Sequence, residues 1–287
     1  MRDFTVLKPS SAREASRLLA EHGDGARLMA GGTALILALR QRLVTPGHLV
    51  YLGGVPAMNA VTYDAKTGLR IGALARHIDV ATNAAVKTHY PMLASMAAQV
   101  ANPQVRNQGT LGGNLCYADP ASDPPTCLMA LGARVLATSN AGEREIALDA
   151  FFTDYYQTAL RPEEVLTEIR IPPLGDATGA YARFRRTEAE HRPMLTLGIV
   201  ARRDGNMCRS ARIVIGASTA TPVRASGVEQ LLEGKPVTRA LLDQAAALVR
   251  SQTEVLSDFR GSADYRREIA GVVLRRTAAS LFGVELN

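Results

Sequence analysis

The chain has 287 residues, 47% of them hydrophobic and 21% charged, with a formal net charge of +6, which suits a packed core in two domains or one large domain with subdomains. The absence of Trp and an aromatic content of 5% leave no stacking platform for single-stranded nucleic acid. Three widely spaced cysteines (Cys116, Cys127 and Cys208) form no CxxC pair and no disulfide framework, the amino terminus lacks a charged-then-apolar secretion signal, and no apolar run approaches the about 18 residues of a membrane span, so a cytoplasmic protein with reduced thiols is expected.

In chain order, "FTVLKP" predicts a strand and "SSAREASRLLAEHG" a helix, with Ser11 and Glu14 as a capping box, Ala15, Leu18 and Leu19 as its buried face and Gly23 as its stop. Ala26–Ala30 predicts a strand, Thr33 caps a helix running to Arg42, and "GHLVYL" is a third strand. Strands alternating with helices predict crossovers and parallel pairing. After Pro56 the pattern changes: "MNAVTYD" and "LRIGAL" flank a hairpin turn at Asp64–Gly68, and helices follow at about 78–88 and 91–100. "NPQVRNQGTLGGNL" (102–115) reads as a glycine-rich loop. "PPTCLMALGA" is a short helix, "RVLATS" and "EREIALD" are paired strands, and "EVLTEIRIPP" is a strand stopped by two prolines. The linker "PPLGDATG" (172–179) precedes three strands, "AYARFRR", "LTLGIVARRD" and "CRSARIVIGAST", with a Gly205–Asn206 turn between the last two. Helices at about 225–233, 238–251 and 264–282 complete an α+β pattern.

Two segments carry the chemistry: "LMAGGTAL" (28–35) and "GTLGGNL" (109–115), each with Gly-Gly beside a threonine. Without Cβ atoms, backbone N–H groups approach a ligand closely, and successive N–H groups form an anion nest. Either segment alone is equally well a tight turn; the two together point to a phosphate-rich ligand. Neither is a P-loop or a dinucleotide GxGxxG fingerprint. In "ADPASDPP", Asp119 and Asp123 serve as turn and cap residues or as ligand acceptors. The five histidines have no metal-ligand spacing, no GxSxG nucleophile exists, and no catalytic side chain is assigned. The scattered arginines suit a solvated surface, or a dock for an acidic partner or an anionic cofactor.

"AGGTAL", then "NPQVRNQGTLGGNL" with "ADPASD", then "MALGARV" and "EVLTEIRIP", resemble the FAD-binding medium subunits of molybdenum hydroxylases, the family of carbon monoxide dehydrogenase medium chains and the flavin domain of xanthine dehydrogenase. The resemblance covers nearly the whole chain. It implies an α+β protein: a p-cresol methylhydroxylase-type (PCMH-type) FAD-binding domain over 1–174, made of two α/β subdomains (about 1–54 and 55–174). A C-terminal domain over 178–287, with a three-stranded antiparallel sheet and a helix bundle, follows. It implies noncovalent FAD, with Leu28, Met29, Ala30, Gly31, Gly32, Thr33, Ala34 and Leu35 wrapping the diphosphate and Thr110, Leu111, Gly112, Gly113 and Asn114 on its other side. Ala101 lies against the flavin, Asp123 bonds to the cofactor, and Leu166 and Arg185 stand near it. Two departures are visible. The cysteine-rich insert that holds a [4Fe–4S] cluster in some relatives is missing, and three scattered cysteines cannot supply four thiolates. His191, Arg192 and Met194 replace part of a Lys/Arg/Asp pattern before the next strand.

The function implied is electron transfer. FAD takes electrons from a [2Fe–2S] small subunit, which is fed by a large subunit carrying the molybdenum cofactor, and passes them to an external acceptor. The assembly implied is an (LMS)2 heterohexamer with no nucleic acid and no membrane span. A self-contained flavin oxidase on the same fold is the alternative, and a cofactor-free assembly protein a further one.

Overall fold

The computed structural model describes residues 2–286. The amino-terminal unit comprises β1 (Thr5–Leu7), α1 (Ala12–His22), β2 (Ala26–Met29), α2 (Leu35–Arg40) and β3 (His48–Tyr51). Its three strands lie in the order β1-β3-β2, all parallel, as the alternation of strands and helices predicts. The Ser11 hydroxyl caps α1 by accepting from the Glu14 N–H at 3.1 Å, and Gly23 at φ +52° ends it. The reciprocal half of the capping box shifts by one residue: the Glu14 carboxylate accepts from the N–H and hydroxyl of Ser10, not from Ser11. Helix α2 departs further from expectation. It starts at Leu35 after Ala34, ends at Arg40, and receives no side-chain cap from Thr33. Gly32, at φ +70°, turns the chain ahead of it, so the turn is set by backbone rather than by a hydroxyl.

The middle unit is built on β4 (Val61–Asp64), β5 (Gly68–Gly72), β6 (Arg134–Ser139), β7 (Gly142–Ala147) and β10 (Val165–Ile171). They form an antiparallel sheet in the order β4-β5-β10-β6-β7, so the last strand in sequence occupies the centre. That position accounts for the burial of Val165, Leu166, Ile169 and Ile171. The helix expected at 78–88 is two helices, α3 (His77–Thr82) and α4 (Ala84–His89). Asn83 ends one and caps the other, accepting from the Val86 N–H at 3.1 Å. Helix α5 (Pro91–Gln99) follows. The glycine-rich stretch is not an open loop: α6 (Pro103–Gln108) is capped by Asn102 and α7 (Leu111–Tyr117) by Thr110. Each cap accepts from an amide three residues on, at 2.9 and 3.1 Å, and Pro103 at the first helical position adds a favourable start. Helix α8 (Pro124–Ala130) is buried at every residue. A small hairpin of β8 (Phe152–Asp154) and β9 (Gln157–Thr158), absent from the sequence reading, lies before β10.

The carboxy-terminal unit has β11 (Thr178–Phe184), β12 (Leu195–Asp204), β13 (Met207–Gly216) and β14 (Val223–Arg224), then α9 (Ser226–Leu232), α10 (Arg239–Gln252) and α11 (Ala263–Phe282). Its sheet is antiparallel in the order β11-β12-β13-β14, one two-residue strand beyond the three expected. A buried cluster that includes Leu197, Ile199, Ile213, Leu242 and Leu274 is its core; the amino-terminal and middle units share a larger one, in which Leu69, Leu93, Met96, Leu128 and Ile169 are buried. The halves are closely docked through α8. A Cβ on Gly198 would lie 2.8 Å from the Ala130 Cβ, a Cβ on Gly216 would lie 2.2 Å from the Thr126 hydroxyl, and Thr126 and Thr196 share a buried hydroxyl hydrogen bond of 2.7 Å. The stretch 172–179 therefore joins units that pack face to face. No helix among the described residues is long and apolar enough to cross a membrane.

Replacing Gly198 with Val overfills this interface and should lower stability by about 1–3 kcal/mol. Urea unfolding of the full chain measures it, and an unchanged midpoint would contradict the close docking of α8.

Candidate cofactor site

The two glycine segments, far apart in sequence, touch. A Cβ on Gly31 would fall 2.1 Å from the Gln108 carbonyl oxygen and 2.9 Å from the Gly109 Cα, inside any allowed contact. A Cβ on Gly109 would sit 3.2 Å from the Thr33 hydroxyl, and one on Gly113 would sit 3.7 Å from the Ala30 Cβ. The second segment is strapped to the chain leaving β5. The Leu111 and Gly112 amides donate to the Ala75 and Ala73 carbonyls at 2.8 and 2.9 Å, and the His77 amide donates to the Gly109 carbonyl at 3.1 Å. The end of β2 and the end of β5 thus bring the two segments together at the junction of the amino-terminal and middle units.

The segments differ in what they offer a ligand. Among the described residues, the amides of Gly31, Gly32, Thr33, Ala34 and Leu35 donate to no protein acceptor. In the second segment the Leu111 and Gly112 amides are engaged as above, the Gly113 amide donates to the Thr110 hydroxyl and the Asn114 amide to the Thr110 carbonyl. The run of free amides therefore lies in residues 31–35, whereas the amides of 111–114 are engaged within the protein. Residues 110–114 contribute a close backbone approach and side chains. The Asn114 side-chain Oδ1 accepts from the Ser122 hydroxyl at 2.7 Å, which leaves its –NH2 as the group to donate. Gly112 has a packing duty as well: its Cβ would lie 2.5 Å from that of Ala73.

The segments line a cavity of about 750 Å³, within the range of small-molecule sites. Residues 28–35 form one wall; Thr110, Gly112, Gly113 and Asn114 form another; Leu166 lines it with Leu160 and Val165. A second hollow of about 740 Å³ shares Met29–Gly32, Leu74 and Thr110, so residues 30–32 stand between the two spaces. An extended ligand gripped at that point has room on both sides. One run of free N–H groups on residues that line a cavity fits a diphosphate, whose oxygens are acceptors only, and the missing Cβ atoms give it access.

Four expected residues lie outside both cavity linings. Leu111 is fully buried in the core. Ala101, at φ +42°, precedes α6, and its carbonyl accepts from Arg106 at 3.4 Å. Arg185 donates to the carbonyls of Glu188 and Glu190 in its own loop at 2.8 and 3.4 Å. Asp123 occupies the cap position of α8 without capping it. Its Oδ1 instead accepts from the Tyr181 hydroxyl at 2.6 Å and pairs with Arg183 at 3.2 Å, both from β11. Asp119 makes the turn bond expected of it, to the Ala121 amide, and pairs with Arg192 at 2.6 Å. The cavity also recruits residues that the sequence reading did not single out, among them Ala73, Leu74, Cys116 and His77. Nothing in their local sequence marks them; the central place of β10 and the straps to β5 put them there.

Burial raises the Asp123 carboxyl from its ordinary 3.8 to about 6, against the lowering effect of Arg183 and Tyr181. The folded chain then holds this proton more tightly than the unfolded chain. The associated stability is present in full below pH 3.8 and is lost as pH rises through about 6. Relative to Asp123→Asn, the native chain should lose on the order of 2–3 kcal/mol between pH 4 and pH 7. Urea unfolding of both chains across that window measures the difference; a flat or rising difference would contradict the raised value.

Residues 2–174 match the FAD binding domain in molybdopterin dehydrogenase, and residues 177–281 match the CO dehydrogenase flavoprotein C-terminal domain. The carbon monoxide dehydrogenase medium chain of Hydrogenophaga pseudoflava is 33% identical over 276 residues, 95% of each chain. The 6-hydroxypseudooxynicotine dehydrogenase complex subunit alpha of Paenarthrobacter nicotinovorans is 32% identical over 277 residues, 96% of this chain and 93% of that one. A solved structure of carbon monoxide dehydrogenase from Hydrogenophaga pseudoflava, lacking the Mo-pyranopterin moiety of the molybdenum cofactor, superposes with a TM-score of 0.94 at 31% identity over 98% of both chains. With a run of free amides on residues that line a cavity of about 750 Å³, and with matches over both halves, this chain belongs to the FAD-binding medium subunits of molybdenum hydroxylases, a family of oxidoreductase components.

Proposed function

We propose that this chain is the electron-transfer subunit of a three-component oxidoreductase. It holds FAD noncovalently, next to a [2Fe–2S] small subunit that is supplied by a large subunit with the molybdenum cofactor, and it serves an external acceptor. When bound, FAD supplies the redox chemistry. The residues of this chain supply grip, orientation and electrostatics: the amides of Gly31–Leu35 hold the diphosphate, Asn114 donates from the opposite wall, and Leu166 gives apolar contact. Ala101, Asp123 and Arg185 belong to the same proposal, toward the flavin end. Substrate oxidation takes place in the large subunit, so no side chain here is asked to move a proton.

The observation that carries this reading is the run of unsatisfied amides at 31–35, set against the second glycine segment across one cavity. The +6 surplus suits both an anionic cofactor and docking of an acidic partner. The three cysteines are all free, which suits the cytoplasm. An (LMS)2 assembly, with an FAD-binding domain over 1–174 and a C-terminal domain over 178–287, completes the proposal. Copurification with a tagged chain, followed by flavin, iron and molybdenum analysis, tests it. The expected result is FAD on this chain, with iron and molybdenum on two copurifying subunits. Recovery of the native complex without FAD would overturn it.

Two substitutions sharpen the site. Gly113→Val places a side chain 2.7 Å from the Thr110 hydroxyl and into the gap facing Ala30. FAD retention should be lost, while stability falls by only about 1 kcal/mol through the disturbed cap; flavin absorbance and thermal melting of the same sample read both. Asn114→Ala should weaken FAD by on the order of 1–2 kcal/mol, roughly 5- to 30-fold in affinity. A fluorescence titration measures it, and unchanged affinity would remove Asn114 from the site.

A further inference from the structure

His77 opens α3, and it is buried to 2% exposure. His77 is among the residues that line the cavity, and its Cδ2 atom lies 3.3 Å from the point where a Cβ on Gly109 would stand. Its Nδ1 is buried without any hydrogen-bond partner, and neither ring nitrogen takes part in a hydrogen bond among the described residues. A buried polar atom left unpaired is costly, so such an atom at a ligand cavity calls for an explanation. Burial, reinforced by the positive charge of Arg106, lowers the imidazole to about 4, which leaves a neutral ring with one donor and one acceptor nitrogen.

The backbone already ties His77 to the cradle. Its amide donates to the Gly109 carbonyl, and Gly109 packs against Thr33 of the first glycine segment. The ring thus stands at Gly109, where the two segments meet. Resting on the FAD reading above, we propose that His77 is a further cofactor-binding residue. Its neutral imidazole hydrogen-bonds the polar ribityl–diphosphate backbone of FAD at the junction of the two glycine segments. A neutral ring suits this duty: it donates to a phosphate oxygen, or exchanges donor and acceptor with a hydroxyl.

The test is FAD titration of the full-length apoprotein, comparing the native chain with His77→Phe and His77→Gln and recording the melting midpoint of each apoprotein. His77→Phe keeps a flat ring and removes both nitrogens; His77→Gln keeps a donor and an acceptor. The expected result is an FAD affinity about tenfold lower in His77→Phe, largely restored in His77→Gln, with the His77→Phe apoprotein melting no lower than the native one. A ring that merely packs would give the opposite pair of results, a lower melting point with unchanged FAD affinity, and that would overturn the proposal. Should His77→Phe fail to fold, the imidazole 15N resonances of the native chain decide. Those that vanish in His77→Gln must shift when FAD is added, and their indifference to bound FAD contradicts the assignment. A native chain that takes up no FAD overturns the site reading itself, an outcome distinct from native and His77→Phe chains binding equally well.

Discussion

The arrangement depends on one contact, the approach of Gly31 to the backbone of Gln108 and Gly109. At that separation no side chain fits, since a Cβ would lie 2.1 Å from a carbonyl oxygen. The contact brings the loop after β2 against the turn between α6 and α7. It leaves the amides of 31–35 pointing at no protein acceptor. Such a run of free donors, on partly exposed residues, is open to an anion. The absence of side chains that permits the close packing is thus the same feature that opens the backbone to a ligand.

The halves of the cradle divide the work. Residues 31–35 present main-chain donors, whereas 111–114 spend theirs on fixing position, through Ala73, Ala75 and Thr110. A rigid second wall makes the geometry of the first wall reproducible, as a site held by locked neighbours requires. Farther out, Asp123 links this region to the carboxy-terminal sheet through Tyr181 and Arg183. A charge buried to this degree is tolerated only with partners, and both partners come from the other half of the molecule. The docking of α8 on β12 and β13, enabled by Gly198 and Gly216, keeps that network closed.

Much of this was legible in the sequence, and the failures have physical causes. The parallel amino-terminal strands, the hairpin at 64–68, the C-terminal strands and the Ser11 cap follow from periodicity and local hydrogen bonding. The stretch 102–115 reads as a loop because glycine density outweighs two cap signals, Asn102 before Pro103 and Thr110 before Gly113, which in fact start helices α6 and α7. Asn83 likewise splits a continuous apolar pattern into α3 and α4. The glycine segments were visible as a pair, yet which of them keeps free amides depends on the partners Ala73 and Ala75, and those are set by strand order. His77 carries no local signal either; its isolation arises only when α3, Gly109 and Arg106 are packed together.

Amide hydrogen exchange of Gly31–Leu35, read residue by residue by NMR on the full chain with and without FAD, tests the central claim most directly. The account predicts that these five amides exchange much more slowly once FAD is bound, while Leu111–Asn114, already bonded within the protein, change little. Unaltered exchange at 31–35 in a sample that has demonstrably taken up flavin would contradict it.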